Sequence, residues 1–190
     1  MKNVYESCPV YESENFMLRL VSLEDAEDLL PCYSQPTDSV ITNSFNCDFG
    51  YGCQTLDGMR DFISCWFECY KNGAFVRWSV VDKKTCKAIG TIELFNRKSS
   101  DFFNNCGMLR LDLHNDYENA TAIEEILALI LAESFSLFDY NMVTTKVSTS
   151  AVGRMSVLKA LRFRPTDEKI MGRDGTCYDG FWICEKEMNV

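Results

Sequence analysis

Residues 107–163 carry strand and helix signals in one unbroken order, and that order restricts the fold more than any other feature. CGMLRLDL reads as a strand, HNDYEN as a loop and ATAIEEILALILAESFSLF as a long apolar helix. MVTTKVS then reads as a second strand, and the segment ending ALRF as a short helix. A strand that stops where a helix begins leaves free backbone N–H groups facing one opening. Such an opening is a natural cradle for a pyrophosphate.

Composition bounds the rest. A chain of 190 residues with 46% hydrophobic and 13% aromatic residues is globular, and it fits one domain spanning 1–190 with an extension over 1–15. The net charge of −9 repels nucleic acid, and no run of Lys or Arg offsets it. Cationic partners such as amines suit this surface better. The N-terminus lacks a signal-peptide core, and the apolar run around Ile126 to Leu131 is too short to span a bilayer, so no membrane contact is expected. The expected location is the cytoplasm. Ten cysteines are present, but with no CxxC pair and a single histidine no zinc spacing exists and no metal site is expected. Reduced, packed thiols are the simpler reading, against a cysteine-based redox protein as the other.

Around this core, FMLRLV from Phe16 reads as a first strand and Ser22-x-x-Asp25 as a variant capping box opening a short helix that Pro31 brings near its end. Residues 34–58, with Phe49 and Tyr51, form a long irregular region of the kind that often holds part of a binding site. Met59, Phe62, Ile63, Trp66 and Tyr70 recur at helical spacing. AFVRWSVV and CKAIGTIELF pair as a hairpin, with Gly90 marking a bulge or a close backbone approach. Residues 164–177 look like a hairpin connection, and Tyr178 to Glu185 closes the sheet.

The order and spacing, the IGTI at Ile89 to Ile92, and the Val157, Leu158, Leu161, Phe163 skeleton together resemble the GNAT N-acetyltransferases, nearest to their ribosomal-protein-alanine branch. The resemblance implies an α+β fold, a mostly antiparallel twisted sheet with helices on both faces, and acetyl-CoA as co-substrate bound by residues 107–163. The family's loop pattern, Arg/Gln-x-x-Gly-x-Gly/Ala, falls on Tyr117, Glu118, Asn119, Ala120, Thr121 and Ala122. Here the leading basic residue is Tyr117 and the central glycine is Ala120. Glu118 sets a negative charge beside the expected phosphates, and Glu124 matches an acidic position of the branch. A plain capping box, Thr121-x-x-Glu124, is the competing account of the same residues. In the last helix the family's Asn, Ser and Gly are Ala151, Arg154 and Arg162, and Arg154 could supply the charge missing from the loop.

Acetyl transfer to an amine needs a proton acceptor, donors for the developing oxyanion, and an acid for the departing thiolate. Glu93 and His114 are candidate bases, Asp112 a third, and Tyr140 a candidate acid. The strand carrying Leu111 and Leu113 would offer backbone donors. Arg110 and Asp112 share a strand face, so a pair or a polar cleft is expected there, and Phe75, Arg77 and Ser79 share another, whose arginine is expected to meet an anionic group. The expected reaction moves an acetyl group to a primary amine of a small molecule or a protein N-terminus, by direct attack in a ternary complex. A homodimer is compatible with the same reading. The alternative is an idle binding or sensing module that kept the fold and lost the chemistry. Side chains such as Tyr117 or Arg154 filling the cleft would favour it.

Overall fold

In the computed structural model, residues 3–34, 53–172 and 175–186 are described, so most of the irregular region, with Phe49 and Tyr51, lies outside them. An eight-stranded sheet organises the rest. Its strands are β1 (Tyr11–Glu12), β2 (Phe16–Leu20), β3 (Val76–Asp82), β4 (Lys87–Arg97), β5 (Cys106–Leu113), β6 (Met142–Lys146), β7 (Arg164–Pro165) and β10 (Phe181–Glu185). They lie in the order β1-β2-β3-β4-β5-β6-β10-β7. Every pairing in this sheet is antiparallel except β5 with β6. A small second sheet pairs β8 (Ile170–Met171) with β9 (Cys177–Tyr178) inside the expected hairpin connection.

Helices cover both faces, as expected for an α+β chain. On one face lie α1 (Ala26–Tyr33) and α2 (Leu56–Lys71), whose Leu29, Met59, Ile63 and Trp66 pack together with Val21 and Ala88. On the other lies α3 (Ala120–Phe138), whose Ile123, Ile126, Leu127 and Ile130 pack against Val76, Trp78, Val80, Leu109 and Leu111. Alongside it runs α4 (Val152–Ala160), which buries Arg154, Val157 and Leu158. Each fully buried aliphatic side chain of α3 contributes roughly 1.5–3 kcal/mol, so this helix clamps the middle of the sheet.

Several local readings change in the structure. Asn119, not Thr121, caps α3: its side chain accepts from the Ala122 N–H at 3.0 Å, and the helix begins at Ala120. The Ser22 box opens a single 3-10 turn ahead of α1, with the Ser22 N–H donating to Asp25 Oδ2 at 2.9 Å. The N-terminal extension joins the fold, since β1 pairs with β2 and Val4 is buried beneath Tyr70, whose hydroxyl donates to the Val4 carbonyl at 2.9 Å. The closing strand breaks at Gly180, which adopts φ +79° and separates β9 from β10. Arg162 holds the family's glycine position with φ +66°, a left-handed conformation that costs a non-glycine residue about 1 kcal/mol.

Gly90 is the tight point of the β4–β5 pairing. A Cβ there would lie 2.2 Å from the Asp112 carbonyl oxygen and 2.9 Å from the Leu113 Cα, both backbone atoms that cannot rotate away. The register shift between Val80 and Val81 lies directly across from it. Gly90→Ala is expected to destabilise the fold by about 1–3 kcal/mol, as overpacking does, and urea unfolding of the two proteins measures it.

Candidate functional site

The site begins where β5 and β6 separate. Their parallel ladder consists of Cys106↔Met142, Gly107↔Val143 and Met108↔Thr144, and no registered pair follows. Beyond it β5 continues to Leu113 paired with β4 alone. The His114 N–H donates to the Ile89 carbonyl at 2.8 Å, which fixes the phase of the strand. By alternation, Leu111 and Leu113 turn their N–H groups to the opposite side, into the gap. The chain then makes a 3-10 turn over Asn115–Tyr117 and enters α3, so the gap ends at the helix N-terminus. Among the described residues, the Ala120 and Thr121 amides donate no hydrogen bond.

On the α3–α4 side the gap is lined by Leu109, Leu111, Ile123, Thr145, Arg154 and Leu158, among others. Its internal volume is about 10 Å³, room for about one water molecule. Arg154 occupies it. The guanidinium forms a bidentate pair with Glu118: Nε donates to Oε2 at 2.9 Å and Nη2 to Oε1. Their side chains are 6% and 8% exposed, so the pair is internal and not a surface ornament. Two of the residues expected near the phosphates are thus brought together, but they engage each other.

The opposite face of β5 holds a second group of charges. Arg77 on β3 is fully buried and stacks its guanidinium 4.2 Å from the centre of the Trp66 ring. Nη2 donates to Glu93 on β4, while Nη1 donates to Thr91 Oγ1 at 3.0 Å and to the Tyr33 hydroxyl at 3.1 Å. Arg110 Nε donates to Asp112 Oδ2 at 2.7 Å, and the same oxygen accepts from the Tyr33 hydroxyl at 3.2 Å. Asp112 Oδ1 is buried and accepts no hydrogen bond among the described residues. Burial, followed by the Asp112 charge, pushes the Tyr33 hydroxyl well above its ordinary value, which keeps it a neutral donor. Register explains the cluster: Arg77, Glu93 and Arg110 form one cross-strand row, and Ser79, Thr91 and Asp112 the next.

The structure distributes the sequence candidates unevenly. Leu111, Leu113, Glu118, Ala120, Thr121 and Arg154 converge on the gap. Glu93 and Asp112 lie across the sheet from it, in the buried cluster. The Ala122 amide is taken by the Asn119 cap and is therefore not a free donor. His114 is part-exposed and caps the 3-10 turn, its Nδ1 accepting from the Asp116 N–H at 3.4 Å. Tyr117 turns away, donating its hydroxyl to Asp82 Oδ2 at 2.7 Å. Tyr140 is packed at the closed end of the ladder, stacked on Phe138 and pressed over Gly107, so it does not reach the gap. Arg77 meets an anionic group as expected of its face, but that the group is Glu93, and that Tyr33 and Thr91 join it, was not foreseen. Alternating polar residues on three adjacent strands announced the cluster, whereas nothing marked Tyr33. The nine cysteines among the described residues are all free thiols.

Comparison with known proteins identifies the family and the fold. A family model described as an acetyltransferase (GNAT) domain matches residues 15–164, most of the chain. The chain belongs to that family, and acetyl transfer is the class of activity its membership carries. No curated protein matches the sequence. Solved structures do. The ribosomal-protein-S5-alanine acetyltransferase of Vibrio fischeri superposes with a TM-score of 0.68 at 16% identity, over 92% of this chain and 94% of that one. A GNAT-family acetyltransferase from Bacillus anthracis gives 0.66 at 12% identity over 93% and 98%. A GCN5-related N-acetyltransferase from Brucella melitensis gives 0.67 at 12% over 93% and 78%. At such identities the likeness is one of fold.

The Tyr117–Asp82 bond ties the loop to the β3–β4 hairpin, and its pH dependence is defined. Burial pushes the Asp82 carboxyl up, but hydrogen bonds from Tyr117, the Lys84 N–H and Thr85 outweigh it and hold the group below its ordinary value. A depressed carboxyl stabilises the fold above its unfolded pKa, about 3.9, and that contribution is lost as pH falls through the lower folded value. Tyr117→Phe is therefore expected to cost about 1 kcal/mol near neutral pH. The difference from the parent should shrink below about pH 4, as urea titrations on both sides of that pH would show.

Proposed function

We propose that the chain transfers an acetyl group from acetyl-CoA to a primary amine, of a small molecule or a protein N-terminus, by direct attack in a ternary complex. The observation that carries this reading is the parting of β5 and β6, which turns the Leu111 and Leu113 amides into a gap that ends at the free amides of α3. In it, Ala120, Thr121 and Arg154 take the pyrophosphate, whose charge suits a helix N-terminus. Leu111 and Leu113 hold the acyl arm, and a strand amide stabilises the carbonyl oxygen as the amine attacks. The acceptor approaches from the α1–α2 face, where Glu93 and Asp112 are the candidate proton acceptors. A net charge of −9 favours a cationic acceptor. Free thiols and an acetyl-CoA co-substrate suit the cytoplasm.

One observation favours a different outcome. The Arg154–Glu118 pair fills the gap, as expected of a module that kept the fold and lost the chemistry. Family membership weighs towards the enzyme, and a titration separates the two. Calorimetry with acetyl-CoA should give micromolar binding, and thiol release should follow on adding amines or peptides with free N-termini. Asp112→Asn or Glu93→Gln should then lower kcat by about 100-fold or more, marking which carboxylate takes the proton. A folded protein that gives neither heat nor thiol release would leave the idle module as the better account.

A further inference from the structure

The Arg154 side chain is 6% exposed and lines a mostly apolar pocket with Leu109, Leu111, Ile123, Leu158 and Thr145, so its guanidinium needs an anion, because a lone charge in such surroundings is strongly disfavoured. Glu118 supplies it, from the residue just before the Asn119 cap. The Ala120 and Thr121 amides, two and three residues further along the chain, donate no hydrogen bond among the described residues, and Glu118 accepts hydrogen bonds from Arg154 alone among them. An anion therefore sits at the mouth of the gap and leaves the best backbone donors there unused. A phosphate fits the same fork bidentately and has further oxygens to reach those amides. With the pair formed, the pocket that Arg154 lines together with Leu109, Leu111 and Thr145 has room for about one water.

We infer that Glu118 is an internal stand-in for a phosphate, and that acetyl-CoA binds by exchanging its pyrophosphate for the Glu118 carboxylate on Arg154. The inference rests on the acetyl-CoA reading above and gives it a mechanism of entry. Arg154 holds an anion in both states, so its charge is never stranded. The exchange needs Glu118 to swing out by rotating about its side-chain bonds, while Tyr117 and Asn119 stay anchored on either side. Binding is then limited by the fraction of molecules whose pair is open. Neutralising Glu118 removes the competitor and raises affinity. Neutralising Arg154 removes the receptor and lowers it. An acidic residue that merely repelled phosphate would give the first effect without the second. A purely structural pair would give neither effect.

The test uses the full chain as parent, Glu118→Gln, Glu118→Asp and Arg154→Gln, each checked for folding by circular dichroism. Acetyl-CoA, inorganic pyrophosphate and adenosine 3′,5′-bisphosphate are titrated into each, the last two distinguishing the pyrophosphate from the ribose phosphate as the group exchanged. If the pair is shut about nine-tenths of the time, Glu118→Gln should bind acetyl-CoA and pyrophosphate about 10-fold more tightly, and Arg154→Gln should bind both more weakly than the parent. Glu118→Asp, with a shortened reach to Arg154, should fall between the parent and Glu118→Gln, and it keeps the charge if the glutamine variant does not fold. In stopped-flow mixing, the parent's observed rate should level off at high acetyl-CoA while that of Glu118→Gln keeps rising. Acetyl-CoA binding by the parent with no gain in either Glu118 variant would overturn the exchange and leave the transferase reading standing. Equal binding by Arg154→Gln and the parent would do the same. Tighter binding of the bisphosphate alone would move the exchanged group to the ribose phosphate and overturn the pyrophosphate assignment. Failure of every folded form to bind acetyl-CoA would remove the transferase reading and the exchange with it.

Discussion

The architecture depends on one junction, the parallel contact between β5 and β6. A parallel neighbour cannot be reached by a tight turn, so the chain must leave the sheet and return through a crossover, here α3. The crossover places a helix N-terminus at the end of β5 by geometric necessity. Because only three residue pairs hold the two strands, the rest of β5 is paired on one side alone. An unpaired strand edge inside a domain exposes backbone donors, which are costly to bury unless something is meant to meet them. The gap, the amides and the helix end are thus consequences of a single topological choice.

Charge is handled differently on the two faces of that strand. On the α1–α2 face, Arg77 is fully buried and shared among Glu93, Asp112, the Thr91 and Tyr33 hydroxyls and the Trp66 ring, so no single partner carries its whole charge. On the α3–α4 face, Arg154 has Glu118 as its one hydrogen-bonding partner among the described residues, in mostly apolar surroundings. The first arrangement is redundant and rigid. The second has a single point of failure, as a site that exchanges one anion for another requires.

The order of elements over residues 107–163 was legible because a long apolar helix and two flanking strands leave little room for other readings. Finer features were legible only as types of residue. Thr121-x-x-Glu124 announces a helix start, but it is the folded backbone that brings Asn119 to the Ala122 amide as the cap. Glu118 was visible as a charge opposed to phosphate, yet its partner lies 36 residues away, on another helix, where no local pattern points. Alternation placed Arg77 with Ser79, and Arg110 with Asp112, on shared strand faces. It could not say that Arg77 would take Glu93 while Arg110 took Asp112, because that choice follows from cross-strand register. Tyr140 looked like an available acid because it stands before a strand, but that strand enters the sheet at its closed end.

The three tryptophans fall in three separate parts of this framework. Trp66 on α2 lies over the Arg77 guanidinium, Trp78 on β3 donates its indole N–H to the Pro9 carbonyl at 3.0 Å, and Trp182 stands on β10 beside β6. One indole is thus stacked on a cation, one is hydrogen-bonded to the N-terminal segment, and one belongs to the far wing of the sheet. The molecule carries its own set of optical reporters. Light emitted from each reads a different layer of the fold, with no label attached.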